Sequence, residues 1–234
     1  MNSYFERTEL LVGSEGMAKL SSARVIIFGT GGVGSWCAEA LARNGIGHMT
    51  LVDDDTVATS NVNRQLPAFP DTVGRLKAQL LAERFERINP NGDFTALPRR
   101  YTPQTASDFN IETYDYVIDA IDSVPDKADL ILRCTDPSTA PRRAFFSSMG
   151  AARKGDISRI ATAEFYKAIG CPLARALRDR FRKTGMRPRH KFKVVYSPER
   201  LEQPVPSRSN GTLAYATAAF GLMLAQLTVQ HILR

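Results

Sequence analysis

The segment Gly29-Thr30-Gly31-Gly32-Val33-Gly34 follows directly on an apolar, β-branched run at residues 23–28 and opens a stretch of helical spacing at residues 35–44. No other feature restricts the chain as much. Strand, glycine turn and helix in that order begin a βαβ unit, and the glycines let the backbone turn tightly and approach a phosphate. Free amides and the positive end of the helix dipole then stabilise the negative charge. Residues 48–52 read as the second strand, and Asp53 closes it about 20 residues beyond the loop, where a carboxylate can accept from ribose hydroxyls. Gly29, Gly31, Gly32, Gly34 and Asp53 are therefore candidate nucleotide-binding residues. The duller reading, a turn whose glycines serve only helix packing, does not explain the placement of Asp53.

The alternation continues. A polar stretch at residues 54–72 precedes a predicted helix over 74–88, which the turn chemistry of Asn89-Pro90-Asn91-Gly92 ends. Strands are expected at 94–97, 116–120 and 144–148, with helix around 129–133. The expected fold class is α/β, a Rossmann-like, mostly parallel sheet with flanking helices and a smaller irregular C-terminal region. Residues 1–150 form the nucleotide-binding part in this reading, and residues 151–234 a basic substrate region with a final apolar helix packed on the same domain. That last segment, 213–233, is interrupted by Gln226, Thr228, Gln230 and His231, so a buried helix is expected and a stable membrane span is not.

Charge and cysteine usage narrow the function class. The net charge is +7, and ten of the basic residues fall between positions 175 and 200, from Arg175, Arg178, Arg180, Arg182 and Lys183 to Arg187, Arg189, Lys191, Lys193 and Arg200. Such a block suits a polyanion, although a solvated helix face reads the same from charge alone. The three cysteines, Cys37, Cys134 and Cys171, form no CxxC pair, which disfavours a zinc knuckle and a secreted disulfide framework. With a polar N-terminus in place of a secretory leader, a cytoplasmic location is expected.

The glycine loop and Asp53 serve NAD and ATP equally well; the next residues separate them. Asp55 is followed by Asn61-Val-Asn-Arg64-Gln65 and then Lys77, so cationic side chains can converge near the phosphate end, and a triphosphate needs such cations to stabilise departing pyrophosphate, whereas a hydride carrier does not. Asp122, just beyond a strand, can hold Mg2+ against the phosphates. Gly29-Thr-Gly-Gly-Val-Gly-Ser35, Leu51-Val-Asp-Asp-Asp-Thr-Val57, Ser60-Asn-Val-Asn-Arg-Gln65, Lys77 and Ile118-Asp-Ala-Ile-Asp-Ser123 resemble the ubiquitin-activating-enzyme-like (ThiF-like) adenylating superfamily. Within it, Phe5-Glu-Arg7-Thr-Glu-Leu, residues 61–65, residues 116–123 and Val195-Tyr-Ser-Pro-Glu199 are similar to the tRNA threonylcarbamoyladenosine dehydratases along almost the whole chain.

The resemblance implies ATP and Mg2+ as cofactors and tRNA as partner. It also implies that Gly31 and its neighbours face the nucleotide, Asp53 binds ribose, Asn61, Arg64 and Lys77 hold the triphosphate, and Asp122 holds the metal. Arg7 matches an arginine that reaches the neighbouring subunit's phosphates, which implies a homodimer. Catalytic roles thus fall on Arg7, Arg64, Lys77 and Asp122. The implied reaction is adenylation of the threonylcarbamoyl carboxylate, then ring closure with release of AMP. Duller readings stand beside these: Asp55 and Asn63 can merely shape their loop, and Arg7 and Lys77 can be solvated.

Two departures matter. Relatives carry Asp-Pro-Leu-Ala where this chain has Cys171-Pro-Leu-Ala, and some carry cysteine where Val194 stands, which excludes a thiol step at 194. The stretch 199–209 is short beside relatives. The rival readings are adenylation of a ubiquitin-like sulfur-carrier protein, whose enzymes usually have paired CxxC ligands, an NAD-dependent oxidoreductase, and a non-catalytic RNA-binding module. Whether a sulfur-transfer partner protein assists is left open by the residues.

Overall fold

The computed structural model describes residues 3–138 and 144–234. Seven strands form one sheet in the order β3-β2-β1-β4-β5-β7-β6. They are β1 (Arg24–Phe28), β2 (His48–Val52), β3 (Asp93–Leu97), β4 (Tyr116–Asp119), β5 (Ala144–Ser148), β6 (Ala161–Glu164) and β7 (Lys193–Tyr196). All neighbours are parallel except β6, which runs antiparallel to β7 at the edge. The α/β sheet expected from the glycine loop is thus present, and the chain beyond residue 150 supplies its last two strands.

Both faces of the sheet are covered, so strand residues alternate between two apolar clusters. Val25 and Ile27 of β1, Ile118 of β4, Phe146 of β5 and Val195 of β7 enter one; Ile26, Phe28, Val117, Phe145 and Val194 enter the other. The first cluster lies under α1 (Glu6–Ser22), α2 (Gly34–Arg43), α3 (Lys77–Ile88) and α6 (Ala214–Ile232), and the second under α4 (Val124–Cys134) and α5 (Pro172–Thr184). α6 buries Phe220, Leu224 and Ala225 against this core. Among the described residues no helix is long and apolar enough to cross a membrane.

Two helix boundaries differ from the sequence expectation. The helix expected from residue 74 starts at Lys77, because residues 74–76 pair with the preceding loop: Gly74 N–H donates to Val57 O, Val57 N–H to Arg75 O, and Thr56 bridges Leu76. A local backbone ladder there satisfies groups that one more helical turn would leave open. α4 extends well beyond residues 129–133, since Pro125 within its first turn suits a helix start and Ala128, Leu130 and Ile131 are buried.

α6 crosses α2 at Gly221. A β-carbon there would lie 2.4 Å from Val33 O, 2.8 Å from Cys37 N and 2.9 Å from Trp36 Cβ. Gly221→Ala must therefore push the two helices apart. The expected loss is about 1–3 kcal/mol of stability, read by thermal unfolding, with Val33 displaced at the wall of the cavity described next.

Candidate functional site

In a sheet of this order the connections leave β1 and β4 in opposite directions, and a crevice opens beyond their carboxyl ends. A cavity of about 330 Å³ occupies that place. Phe28, Gly29, Gly31 and Gly32 line it after β1, Asp53, Asp54 and Asp55 after β2, and Ile121, Asp122 and Ser123 after β4. α2, α3 and α4 all begin at its wall, through Val33, Lys77 and Ser123, and none of the three starts has a side-chain cap. Their dipoles converge on the cavity and favour an anion there.

The loop glycines have distinct duties. Gly29 adopts φ +88° and its β-carbon would meet Ala120 O at 2.8 Å, so β1 and β4 close over a bare backbone. Gly34 is a packing residue: a β-carbon on it would lie 1.8 Å from Gly29 O, and it does not line the cavity. At Gly31 the nearest atom is Gln65 Nε2 at 3.8 Å, which leaves the backbone open to a ligand.

Asp53 fastens the rim. Its Oδ2 accepts from Thr30 N at 2.7 Å and Thr30 Oγ1 at 2.9 Å, and its Oδ1 accepts from Asp55 N at 2.9 Å. Oδ1, with a single donor, retains acceptor capacity for a ribose hydroxyl. Lys77 is 4% exposed, which removes the solvated-helix reading, and its ammonium lies 2.7 Å from Asp55 Oδ2. Arg64 is held by Ser60 O and Asn63 Oδ1, while its carbonyl accepts from Trp36 Nε1 on α2. Asn61 is buried but does not line the cavity: its Oδ1 accepts from Ala58 N and its carbonyl from Arg64 N and Gln65 N, so it shapes the turn that presents Arg64. Arg7 lies on α1, outside the lining.

Several residues in this cavity were not picked out from the sequence. Arg99 and Arg100 add two cations, Arg100 paired with Asp126 at 3.0 Å. Tyr101 forms part of the wall, its ring edge-on to Phe28, and burial with the Asp129 hydrogen bond pushes its phenol up so that it stays protonated. Gln65, within the Asn-Arg-Gln motif itself, is 8% exposed and its Oε1 has no hydrogen-bond partner among the described residues. A buried amide left open at a cavity wall is a natural ligand contact, since such a group is costly unless something meets it.

Beneath Asp122 lies a fully buried ion pair, Lys127 Nζ to Asp119 Oδ2 at 2.8 Å. Lys127 also donates to Ile121 O, while Asp119 accepts from Ile121 N and Ser147 Oγ. Burial pushes the Asp119 carboxyl up and the Lys127 ammonium down, and their mutual attraction opposes both shifts. A buried pair of this kind is poor value as pure stabilisation; here it fixes the turn that carries Asp122. Cys171, 1% exposed, is packed at the start of α5.

The cavity is lined by four cations, Arg64, Lys77, Arg99 and Arg100, and five carboxylates, Asp53, Asp54, Asp55, Asp122 and Asp126. Carboxylate oxygens of Asp53, Asp54 and Asp55 lie within 4.8 Å of one another. Hard oxygen donors in this number fit a magnesium ion accompanying a polyphosphate.

Comparison with known proteins agrees with this geometry. The ThiF family model matches residues 5–234. The tRNA threonylcarbamoyladenosine dehydratase of Bacillus subtilis is 41% identical over 195 residues, which is 83% of this chain and 74% of that protein. The crystal structure of E. coli tRNA N6-threonylcarbamoyladenosine dehydratase, TcdA, in complex with ATP superposes with a TM-score of 0.89 at 36% identity, covering 98% of this chain and 93% of that one. The complex of the same enzyme with AMP gives 0.89 and 36%, with 98% and 94% covered.

Lys127→Met leaves Asp119 buried without its counter-charge. It should cost about 3–5 kcal/mol in denaturant unfolding and weaken ATP binding through the freed 121–122 turn. Unchanged stability and unchanged ATP affinity would show that the pair does not hold that turn.

Proposed function

This chain belongs to the ThiF family, and within it to the tRNA threonylcarbamoyladenosine dehydratases, and on that premise we propose that its cavity adenylates the carboxylate of threonylcarbamoyladenosine in tRNA. The observation that carries the reading is the convergence of three uncapped helix starts and four cationic side chains on one crevice at the carboxyl ends of β1 and β4. With a magnesium ion to balance the five carboxylates, an ATP polyphosphate matches that arrangement.

ATP lies along the glycine turn with its ribose at Asp53 and its phosphates near Arg64 and Lys77. Because Lys77 is buried and already paired with Asp55, its ammonium is held in place before ATP arrives and little side-chain entropy remains to be lost. The substrate carboxylate attacks the α-phosphate and pyrophosphate leaves. The carbamoyl group of the same modification then displaces AMP from the acyl adenylate. The oxygen removed from the substrate departs in AMP, so the nucleoside loses one water overall. Ring closure is intramolecular and needs mainly positioning. Magnesium, held by Asp122 with help from the 53–55 carboxylates, would neutralise phosphate charge as pyrophosphate departs.

The active unit in this reading is a homodimer. Arg7 shares a helical face with Leu10 and Leu11, which are 81% and 87% exposed, and a second copy covering that face would bring Arg7 towards its partner's phosphates. Sedimentation should therefore give the mass of two chains.

Purified protein with ATP and magnesium should release AMP in proportion to tRNA carrying threonylcarbamoyladenosine, with loss of one water from the nucleoside, and not with unmodified tRNA. Asp122→Ala or chelation should abolish both signals. Lys77→Ala should weaken productive ATP use about tenfold to hundredfold, the range for a lost hydrogen bond to a charged group. Intact ATP binding with neither AMP nor a change in nucleoside mass would defeat the tRNA assignment.

A further inference from the structure

The ten cations between residues 175 and 200 are contiguous in sequence, but the fold separates them. α5 begins at the carboxyl edge of the sheet, where Leu173 meets Gly150 just beyond β5, and its 13 residues carry the chain about 20 Å towards the other edge. Arg187 and Arg189 emerge there, in a recess shared with Leu132 and Asp136 at the far end of α4, and Arg189 lies 3.8 Å from Asp136. Lys193 opens β7. The chain returns along β7, and only Arg200 comes back to the carboxyl edge.

At that edge a cavity of about 530 Å³ is lined by Arg175, Arg178, Arg182 and Arg200, with Asp179 the one carboxylate and Cys171 at its base. Arg175, Arg178 and Arg182 share a face of α5 by their spacing. Arg178 is fixed by Ala168 O at 3.0 Å and Arg182 is paired with Asp179 at 2.7 Å. Arg175 and Arg200 are exposed, and neither side chain makes a hydrogen bond or ion pair among the described residues.

The position of Arg200 is built. The buried Lys154 ammonium donates to Ser197 O and Glu199 O, and the Glu199 carboxylate accepts from Gly155 N at 2.8 Å and Asp156 N at 3.0 Å. Leu201 N–H donates to Arg153 O at 2.9 Å. Pro198 packs on Gly170, whose φ of +84° and lack of a β-carbon both matter, since a β-carbon would lie 2.9 Å from Pro198 Cβ. The segment bearing Arg200 is thereby clamped against the turn that starts α5.

We propose that this four-arginine cavity receives the tRNA phosphodiester backbone beside the modified nucleoside, and that the remaining cations of the block take no part in docking it. The inference rests on the dehydratase reading above. Three surplus positive charges in a recess suit bidentate contact with phosphate oxygens. The recess also adjoins the reaction site: β5 is the neighbour of β4, and α5, which carries three of the four arginines, starts with Leu173 against Gly150 just beyond β5.

The test compares two double variants of the full-length protein, Arg175→Ala with Arg200→Ala, and Arg187→Ala with Lys191→Ala, which remove equal charge. The first should raise KM for modified tRNA about tenfold or more and make the dependence of log affinity on log salt shallower by about 1.5, leaving the ATP KM and the kcat at saturating tRNA within twofold. The second should stay within twofold throughout. Arg175→Lys with Arg200→Lys should retain most of the affinity, with thermal midpoints confirming that all three fold. Equal losses in both alanine pairs would show a diffuse field instead of a site; a raised ATP KM in the first would assign the cavity to nucleotide phosphates; no change in either would place the tRNA elsewhere. Each of these overturns the proposal while the wild-type protein still makes AMP from modified tRNA, whereas failure of the dehydratase reading itself appears as no AMP at all.

Discussion

Gly34 packs so closely on Gly29 that a β-carbon would overlap the Gly29 carbonyl, and Gly29 in turn lies bare against Ala120 at the end of β4. Much else follows from these two contacts. They let α2 begin immediately beside the β1–β4 boundary, so that its start opens directly into the crevice between the strands. Gly221 repeats the device on the outer side, where α6 presses on the first turn of α2 without an intervening side chain. The nucleotide crevice is therefore walled on this side by backbone held at van der Waals distance, while charged side chains, Tyr101, Gln65 and Thr217 complete the lining.

Two means of stabilising a polyanion coexist in that crevice. Helix starts contribute fixed dipoles that need no reorganisation when a ligand arrives. The charged side chains are restrained before binding, Lys77 by Asp55, Arg100 by Asp126 and Arg64 by the turn that Asn61 shapes. The same logic governs the Asp119–Lys127 pair, whose desolvation is offset by hydrogen bonds to both backbone groups of Ile121 and to Ser147. Its yield is geometric, a fixed direction for the turn bearing Asp122.

Contributions to the crevice that lie far apart in sequence escaped a linear reading. Arg99 and Arg100 follow β3 in no recognisable pattern, and Thr217 arrives from α6. They meet the glycine loop only because β3 is placed two strands from β1 and α6 crosses α2. Gln65 was visible within a motif, but its open amide oxygen is a property of packing. The start of α3 was misplaced for a similar reason: the apolar periodicity of residues 74–88 was readable, while the pairing of residues 74–76 with the preceding loop was not.

What the sequence determined by itself was the βαβ unit, the nucleotide loop with Asp53, and the presence of Arg64, Lys77 and Asp122, because each depends on residue types at fixed local spacing that a strand, turn or helix converts directly into position. The tertiary structure alone decided which glycine lines the cavity and which one packs, that Asn61 supports Arg64 from outside the crevice, and that a basic block continuous in sequence is divided between two edges of the sheet. Those outcomes depend on the length and direction of elements that lie between the residues, and on contacts with partners tens of residues away, which no local pattern encodes.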